Sequence, residues 1–277
     1  MAAAEAIVRV ANARMAGAIR LVSIERGHDP SHFALMPFGG GGALHAGALV
    51  QDVGLQSALV PRFPGITSAL GCVIADLRHD QVRTVNLMLD TLDVAALDRL
   101  MVNEGLAAER IVADSGVAVE RIDIVYELDM HYMGQTHTIA VPLPVTLNDG
   151  ATGISAETIR AAFENAYRAS FSRLLPGIAM RIVTLRTAAI GRRPSFDLAA
   201  LAPTPGATRE SAARGTRPIW FGTGWQDARI WSRLDLPIGA ILEGPAVLEQ
   251  PDATTIVDPG LTARVDTLGN VILERKA

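Results

Sequence analysis

Aromatic residues and cysteine are scarce in this sequence. Phe, Trp and Tyr together make up 5 % of the 277 residues, so the core must be built from aliphatic side chains. The single cysteine, Cys72, excludes a disulfide within the chain and any metal site built from several cysteines. Because Cys72 lies in the apolar helical stretch SALGCVIA, we expect its thiol to be buried and unreactive.

Several targeting and binding signals are also missing. No apolar run approaches about 18 residues, so no membrane span is predicted. The net charge is −4 and no long basic block occurs, which argues against nucleic acid as the main partner. The N-terminal residues carry Glu5 and lack the apolar core of a secretory signal, so we expect a cytoplasmic protein.

The first 90 residues predict an alternation of helices and strands. Apolar residues recur at helical spacing over 3–26, on more than one side of the helix, which is typical of a core helix. The predicted segments, in order, are helix 3–26, strand 33–38, helix 43–53, strand 57–60, helix 67–76 and strand 82–89. This alternation is typical of an α/β layer arrangement.

Residues 91–277 predict an α+β arrangement with a β-rich end. The predicted segments are helix 93–115, strands 118–132 and 136–141, a helix from the N-cap Ser155 to about 174, and strand 180–190. Gly134 and Gln135 are predicted to form the turn of a hairpin. After a loop over 192–217, short apolar runs separated by Gly and Pro predict a small antiparallel β module from about 218 onward.

The stretch FALMPFGGGGALHA, residues 33–46, is the strongest local signal for a binding site. Four glycines, Gly39, Gly40, Gly41 and Gly42, stand between a predicted strand and a predicted helix. This geometry places backbone N–H groups and a helix N-terminus against a phosphate or a nucleotide. The alternative is a tight turn that needs positive φ and close packing. Four glycines cost more backbone entropy than a turn requires, which favours approach of a ligand.

His45 follows the glycines, in the first turn of the predicted helix. A helix N-terminus favours a neutral imidazole, which can hydrogen-bond to a ligand. The same ring can equally well bind the neighbouring loop. Both interpretations of His45 stay open at this point.

A second candidate site is a divalent metal centre on the predicted hairpin. Asp129 and His131 are two residues apart on one strand and therefore share a face of the sheet. A hairpin turn around 133–135 would place His137 roughly opposite His131, and two imidazoles with a carboxylate can bind a metal. The alternative is a polar sheet surface or a subunit contact. Asp76, His79 and Asp80 lack the spacing of a rigid ligand set, so a structural role is favoured there.

Five segments, spread over residues 10–260, carry a resemblance to a known family. They are VANARMAGAIRLVSIERGHDPSHFALMPFGGGGALHA, VPRFPGITSALGCVIADLRHD, YELDMHYMGQTHTIAVPLP, LPGIAMRIVTLRTAAIGRRP and EGPAVLEQPDATTIVDPG. Together they resemble the hydantoinase A / 5-oxoprolinase family, which also contains the ATP-using subunits of acetone- and acetophenone-type carboxylases.

The resemblance implies a fold and a division of the chain. Members look like actin-type ATPases on their N-terminal side, with D-x-G-G-T motifs that hold phosphates and metal, and no such motif occurs here. Residues 1–90 are then the end of a partial actin-like ATPase lobe, and 91–277 are the C-terminal domain. Gly39–Gly42 and His45 match the adenosine-side motif GGxGxLH. The family has Ala at the position of Gly41 and Pro at that of Ala43, a difference that bears on rigidity of the turn.

The implied activity is ATP-dependent opening of a cyclic amide such as hydantoin or 5-oxoproline, with Mg²⁺. Phosphorylating the amide oxygen activates a lactam that is otherwise a poor electrophile. The implied partners are a hydantoinase B-type subunit and a chain or region that supplies the N-terminal ATPase half. Two alternatives stay open: a non-catalytic fragment or subunit that only assembles with a partner, and the ATP-using subunit of a carboxylase acting on a ketone.

Overall fold

The computed structural model describes residues 2–203, 206–222 and 224–276. The helices are α1 (Ala2–Val22), α2 (Ala46–Val53), α3 (Thr67–Ile74), α4 (Val94–Ala113), α5 (Ala156–Phe171) and α6 (Arg209–Ala212). The strands are β1 (Ala34–Leu35), β2 (Ser57–Val60), β3 (Leu77–Met88), β4 (Arg121–Tyr132), β5 (Ile139–Pro142), β6 (Met180–Arg192), β7 (Ala213–Phe221), β8 (Gly224–Ser232), β9 (Ile241–Glu243), β10 (Ala246–Gln250), β11 (Ala253–Val257), β12 (Leu261–Val265) and β13 (Val271–Arg275).

The chain forms two compact units, which divide the sequence differently from the predicted boundary at residue 90. Met1–Val73 and Phe196–Ala277 make the discontinuous unit, and Ile74–Ser195 makes the continuous unit. The difference arises because β3, predicted as the last strand of the first part, pairs along most of its length with β6. Its backbone hydrogen bonds therefore belong to the continuous unit.

The discontinuous unit contains two sheets. One has the strand order β1-β2-β13-β12-β9 and the other the order β11-β10-β8-β7. β1 and β2 run parallel, and so do β8 and β10, whereas the other pairs are antiparallel. An aliphatic core of small and medium side chains, such as Val50, Leu242 and Leu273, holds this unit together.

The segments from about residue 218 form β-strands as predicted, but they do not make one small antiparallel module. The strands after 213 are distributed over two sheets, and one neighbouring pair is parallel. The last strand, β13, adds to β2 with Val271 opposite Val60, so the end of the chain completes a sheet begun by its first third.

The continuous unit is a four-stranded antiparallel sheet, β3-β6-β4-β5, with α4 and α5 packed on it. Asp93 accepts a hydrogen bond from the N–H of Ala96 and begins α4, and Ser155 accepts one from Thr158 and begins α5. The predicted N-cap at Ser155 is confirmed. Tyr132, Phe163 and Tyr167 form an aromatic cluster with ring centroids 4.8 to 5.5 Å apart.

α1 is not the core helix that its sequence predicts. Only Asn12 and Ala16 are buried among its described residues, and the side chain of Ile7 is 71 % exposed. α3 has no buried residue, and Cys72 on it is exposed, so the expectation of a buried thiol is also wrong. A helical apolar pattern leads to burial only where another surface covers it.

Two boundaries near the glycines also differ from expectation. The predicted strand 33–38 is reduced to Ala34–Leu35, and a 3₁₀ turn over Gly42–His45 precedes α2. None of the helices in the described part of the chain has the length and hydropathy needed to cross a bilayer.

Candidate functional site

The glycine turn connects β1 to α2 in the discontinuous unit. Gly39 adopts φ = +80°, a left-handed conformation that favours glycine, and its N–H donates to the carbonyl of Pro64 at 2.7 Å. The chain then enters the 3₁₀ turn and continues directly into α2. The predicted order of strand, glycine turn and helix is therefore present, with an extra turn before the helix.

The glycines differ in what lies beside them. An added Cβ on Gly40 would stand 3.2 Å from the carbonyl oxygen of Asp252, and one on Gly42 would contact Pro37. No heavy atom lies within 4 Å of the Cβ position of Gly39 or Gly41. One side of the turn is therefore packed on backbone, and the other side is open.

The backbone donors of the turn are also divided. The N–H of Gly39 donates to the carbonyl of Pro64, and the N–H of Gly42 donates to the carbonyl of Gly39. The N–H groups of Gly40 and Gly41 make no hydrogen bond within the described residues. Free N–H groups beside open space are the groups that a bound ligand can use.

His45 is engaged by a neighbouring element. Its Nδ1 lies 2.7 Å from Oδ1 of Asn12 on α1, and the Asn12 side chain is nearly buried. With the amide oxygen facing the ring, Nδ1 carries the hydrogen and donates it. This contact supports the structural interpretation of His45 and ties α1 to the glycine turn.

Asn12 also lines a cavity of about 1100 Å³ in the same unit. Glu5, Asp52, Trp220 and Asp258 contribute to its wall, and Trp220 Nε1 donates to Glu5 at 3.0 Å. The cavity lies between α1, α2 and the ends of β7 and β11.

Asp258 is a carboxyl group at this cavity whose pKa is raised. Burial raises its pKa to about 6, the negative charge of Asp52 acts in the same direction, and a backbone N–H opposes both. A side chain on Gly47 of α2 would collide with the Asp258 carboxylate, so glycine at 47 makes room for it. Asp258 changes its charge within a unit of neutral pH.

The candidate metal centre does not form. Met130 stands opposite Ile139, so the turn spans more residues than predicted and His131 is not opposite His137. Arg186 binds Asp129 through two nitrogens at 2.9 to 3.1 Å, and His137 is exposed. Within the described residues, no group of three or more His, Cys, Asp or Glu side chains could hold a metal ion.

The other polar residues of this region have structural contacts. Gln135 donates to the hydroxyl of Tyr167 at 2.7 Å and so fixes the hairpin turn to α5. Asp76 accepts from the Arg193 N–H and from Arg192, and these bonds lower its pKa. Asp80 pairs with Arg78. The structural interpretation of Asp76 and Asp80 is supported.

Sequence reasoning missed the residues that surround the glycine turn. Asn12, Gln250, Asp252 and Asp258 all lie within segments that carried the family resemblance, VANARMAGAIR and EGPAVLEQPDATTIVDPG. The signal was therefore present, but no local pattern distinguishes these polar residues from their neighbours. Their relevance comes from contacts between residues far apart in sequence: Asn12 and His45 are 33 positions apart, and Gly65, whose N–H donates to Asp252, is 187 positions from it.

Two family models match the chain. The model described as hydantoinase/oxoprolinase matches residues 1–81, and the model of the hydantoinase/oxoprolinase C-terminal domain matches residues 97–275. The two matches together cover most of the sequence.

Curated relatives match over nearly the whole chain. The caprolactamase subunit alpha of Pseudomonas jessenii is 30 % identical over 95 % of this chain and 38 % of its own length. The 5-oxoprolinase of Saccharomyces cerevisiae is 26 % identical over 93 % of this chain and 20 % of its own. The acetone carboxylase beta subunit of Xanthobacter autotrophicus is 25 % identical over 93 % of this chain and 37 % of its own length. The chain thus spans less than two fifths of the length of these relatives.

The fold is also found in a solved structure. The crystal structure of the ATP-dependent caprolactamase from Pseudomonas jessenii superposes with a TM-score of 0.71 at 27 % identity, over 99 % of this chain and 40 % of that one.

Proposed function

The chain belongs to the hydantoinase/oxoprolinase family, and on that basis we propose that it is the C-terminal part of an ATP-dependent cyclic amidase subunit of the hydantoinase/5-oxoprolinase type. The observation that carries the proposal is the likeness to an ATP-dependent caprolactamase over almost the whole chain, in sequence and in fold. The substrate class is a lactam such as hydantoin or 5-oxoproline.

The chemistry of a lactam explains why such an enzyme needs a nucleotide. Amide resonance makes the carbonyl carbon a poor electrophile at neutral pH. When bound, ATP with Mg²⁺ supplies a phosphoryl group to the amide oxygen and so makes the carbon open to attack by water. The overall reaction consumes one lactam, one ATP and two waters and yields ADP, phosphate, a proton and the ring-opened acid, which is an amino acid from 5-oxoproline and an N-carbamoyl amino acid from hydantoin.

The glycine turn fits one part of this nucleotide. The open space beside Gly39 and Gly41 and the free N–H groups of Gly40 and Gly41 suit a flat adenosine that lies on backbone. Within the described residues, no cluster of three or more His, Cys, Asp or Glu side chains could hold a metal ion such as Mg²⁺. We therefore assign the adenosine side to this chain, and the phosphates and Mg²⁺ to another polypeptide or region.

Exposed apolar side chains support a partner on the discontinuous unit. They lie on α1, on both flanks of the glycine turn, and before α3: Ile7, Val8, Val10, Leu21, Val22, Phe33, Met36, Phe38, Leu44 and Ile66. Exposed apolar surface of this extent marks an interaction site. We assign it to the polypeptide or region that carries the D-x-G-G-T motifs, since the relatives are much longer than this chain. A hydantoinase B-type subunit is proposed as a further partner.

The activity test compares the 277-residue chain alone with the chain mixed with a polypeptide that carries the D-x-G-G-T motifs. We expect lactam-stimulated ATP hydrolysis only in the mixture, with caprolactam, 5-oxoproline and hydantoin as probes. Substrate-stimulated turnover by the chain alone would show that the ATPase does not need a second half. Stimulation by acetone with bicarbonate, and by no lactam, would select the carboxylase alternative. No turnover with any probe would leave the non-catalytic assembly role.

The partner surface can be tested with Cys72, the only cysteine and an exposed one. Because α3 begins directly after Ile66, a partner that covers Ile66 also reaches this helix, so maleimide labelling of Cys72 should be fast in the isolated chain and slow in the complex. The control is Asp227→Cys in a Cys72→Ser background, because Asp227 lies exposed on β8. Equal labelling of Cys72 with and without the partner would contradict the assignment of the surface.

A further inference from the structure

Arg233 is a buried arginine that binds backbone instead of a carboxylate. Arg233 is 3 % exposed to solvent. Nη2 donates to the carbonyls of Val60 at 2.9 Å and Pro61 at 2.7 Å, and Nη1 donates to the carbonyl of Arg62. One guanidinium therefore binds three consecutive carbonyls, at the last residue of β2 and at the two residues that follow it.

A chain of hydrogen bonds continues from Arg233 to the glycine turn. Arg233 Nη1 also donates to Oε1 of Gln250, and Gln250 Nε2 donates to Oδ1 of Asp252. Oδ2 of Asp252 accepts from the N–H of Gly65 at 2.9 Å. The preceding residue, Pro64, accepts from the N–H of Gly39.

The turn at Asp252 also contacts the glycines through its backbone. Its carbonyl oxygen stands 3.2 Å from where a Cβ on Gly40 would lie, and a Cβ on Gly65 would meet the Asp252 side chain. The segment 60–66 and the turn at Asp252 therefore form the closed side of the glycine turn, opposite the open side at Gly41.

The chemistry of this cluster requires arginine at 233. Burial lowers the pKa of Arg233 to about 10, with the Arg62 charge acting in the same direction, so the group is still charged at neutral pH. Its planar fork reaches several acceptors at fixed angles, whereas a lysine ammonium is a single point with three donors. Replacing it by lysine keeps the charge but cannot satisfy the same set of carbonyls.

We propose that Arg233, Gln250 and Asp252 are positioning residues that set the conformation of the glycine turn through the segment 60–66. Their role in nucleotide affinity rests on the proposed function, whereas their role in holding the turn does not. The three residues themselves touch no nucleotide in this proposal.

The first measurement is amide hydrogen exchange by NMR on the 277-residue chain without nucleotide. The variants are Asp252→Asn and Arg233→Lys, and the control is Arg229→Met, an exposed arginine on β8 whose side chain makes no hydrogen bond within the described residues. In Asp252→Asn the new amide nitrogen is a donor and faces another donor, either Gln250 Nε2 or the Gly65 N–H, so one of these two hydrogen bonds is lost. We expect exchange at Gly39 and Gly65 to accelerate about tenfold.

Amides in the buried strands β10 and β12 serve as the internal reference. Acceleration of Gly39 and Gly65 with unchanged reference amides supports the positioning role. Parallel acceleration of all amides in the discontinuous unit would show only global destabilisation and would overturn the proposal. Exchange at Gly39 equal to that of the Arg229→Met control would also overturn it. If Arg233→Lys does not fold, the exchange at Gly39 and Gly65 in Asp252→Asn tests the positioning role by itself.

The second measurement is the Kd for ATP of the same variants, taken on folded protein in complex with the partner polypeptide. We expect a weaker Kd in Asp252→Asn and Arg233→Lys, and non-additive effects in the double variant because both act through one chain of bonds. Altered exchange with an unaltered Kd would keep the positioning role and reject the adenosine assignment. A lower melting temperature with unaltered exchange at Gly39 and Gly65 and an unaltered Kd of the folded fraction would show a merely structural role and would overturn the proposal.

Discussion

α1 and α4 are helices of almost equal length that differ in how much of their surface is buried. α1 has 21 residues and buries Asn12 and Ala16, whereas α4 has 20 residues and buries a continuous stripe from Leu97 to Val112. Both sequences show apolar residues at helical spacing. The difference lies in the surroundings, because α4 has a sheet beneath its stripe, whereas α1 packs on the core only through residues such as Met15, Ala16 and Ile19 and leaves Ile7, Val10 and Leu21 exposed. Periodicity identifies a helix, and packing decides whether its apolar side is a core or an interface.

The two units can be followed separately during unfolding. All three tyrosines, Tyr126, Tyr132 and Tyr167, lie in the continuous unit, and all three tryptophans, Trp220, Trp225 and Trp231, lie in the discontinuous unit. Tyrosine absorbance and tryptophan fluorescence therefore report on different units, and each prediction below can be assigned to one of them.

The largest expected effect comes from truncating one apolar residue on each helix. Leu97→Ala removes a side chain that is 1 % exposed and should cost the continuous unit about 3 to 4 kcal/mol of unfolding free energy. Ile7→Ala removes an exposed side chain and should change stability by less than about 0.5 kcal/mol. Urea denaturation of both variants checks the pair. A cost for Ile7→Ala comparable to that of Leu97→Ala would break the comparison.

The next effect is a pH-dependent cost in the discontinuous unit. Asp258 has a pKa of about 6 when folded, above the ordinary 3.8, so the folded state binds this proton more tightly than the unfolded state. The stability contributed by the protonated form is complete below pH 3.8 and is lost as the pH rises through 6. The wild type therefore loses stability as the pH is raised from 4 to 8, whereas Asp258→Asn does not. The unfolding free energy of the variant relative to the wild type should rise by roughly 2 to 3 kcal/mol over this pH range.

Tryptophan fluorescence during denaturation at the two pH values measures this difference. Asp227→Asn is the control, because Asp227 is exposed on β8. A stability difference between Asp258→Asn and wild type that is equal at both pH values would show that Asp258 does not carry the effect.

The smallest effect comes from the helical glycines. An added Cβ on Gly105 of α4 would collide with the Tyr126 hydroxyl, which donates to the carbonyl of Met101 at 2.9 Å. Gly105→Ala should therefore cost about 1 to 2 kcal/mol despite the better helix propensity of alanine. Gly17 of α1 has no atom within 4 Å of its Cβ position, and Gly17→Ala should gain up to about 1 kcal/mol. Melting curves that shift in the same direction for both variants would contradict this contrast.

Local features of the fold could be predicted from the sequence. Strand β2 occupies the predicted residues 57–60, Ser155 caps α5, and the glycine turn lies between a strand and a helix. These features depend on residue spacing and on side chains close in sequence. The same holds for the glycines of the candidate site, whose conformational freedom is visible in the residue type itself.

Long-range features could not be predicted. No local pattern indicates that β13 pairs with β2, or that β3 pairs with β6 instead of joining the preceding α/β segment. The pairing between β4 and β5 ends at Met130 and Ile139, and Gln135 in the connection binds Tyr167, a residue 32 positions away. The metal hypothesis failed with that register, and the support of the glycine turn by Asp252 was missed for the same reason.

The pairing of β13 with β2 also sets an order of events during synthesis. The continuous unit is a single stretch of sequence that ends at Ser195, so all its strands are translated before β7 begins at Ala213. The sheet of the discontinuous unit that contains β2 cannot close until Val271–Arg275 has been translated. Until then β13 is missing, so the edge of β2 is unpaired and the core side of α2 is not covered by that strand. A chain truncated before β13 should therefore keep a native continuous unit while its tryptophans stay in an unfolded environment.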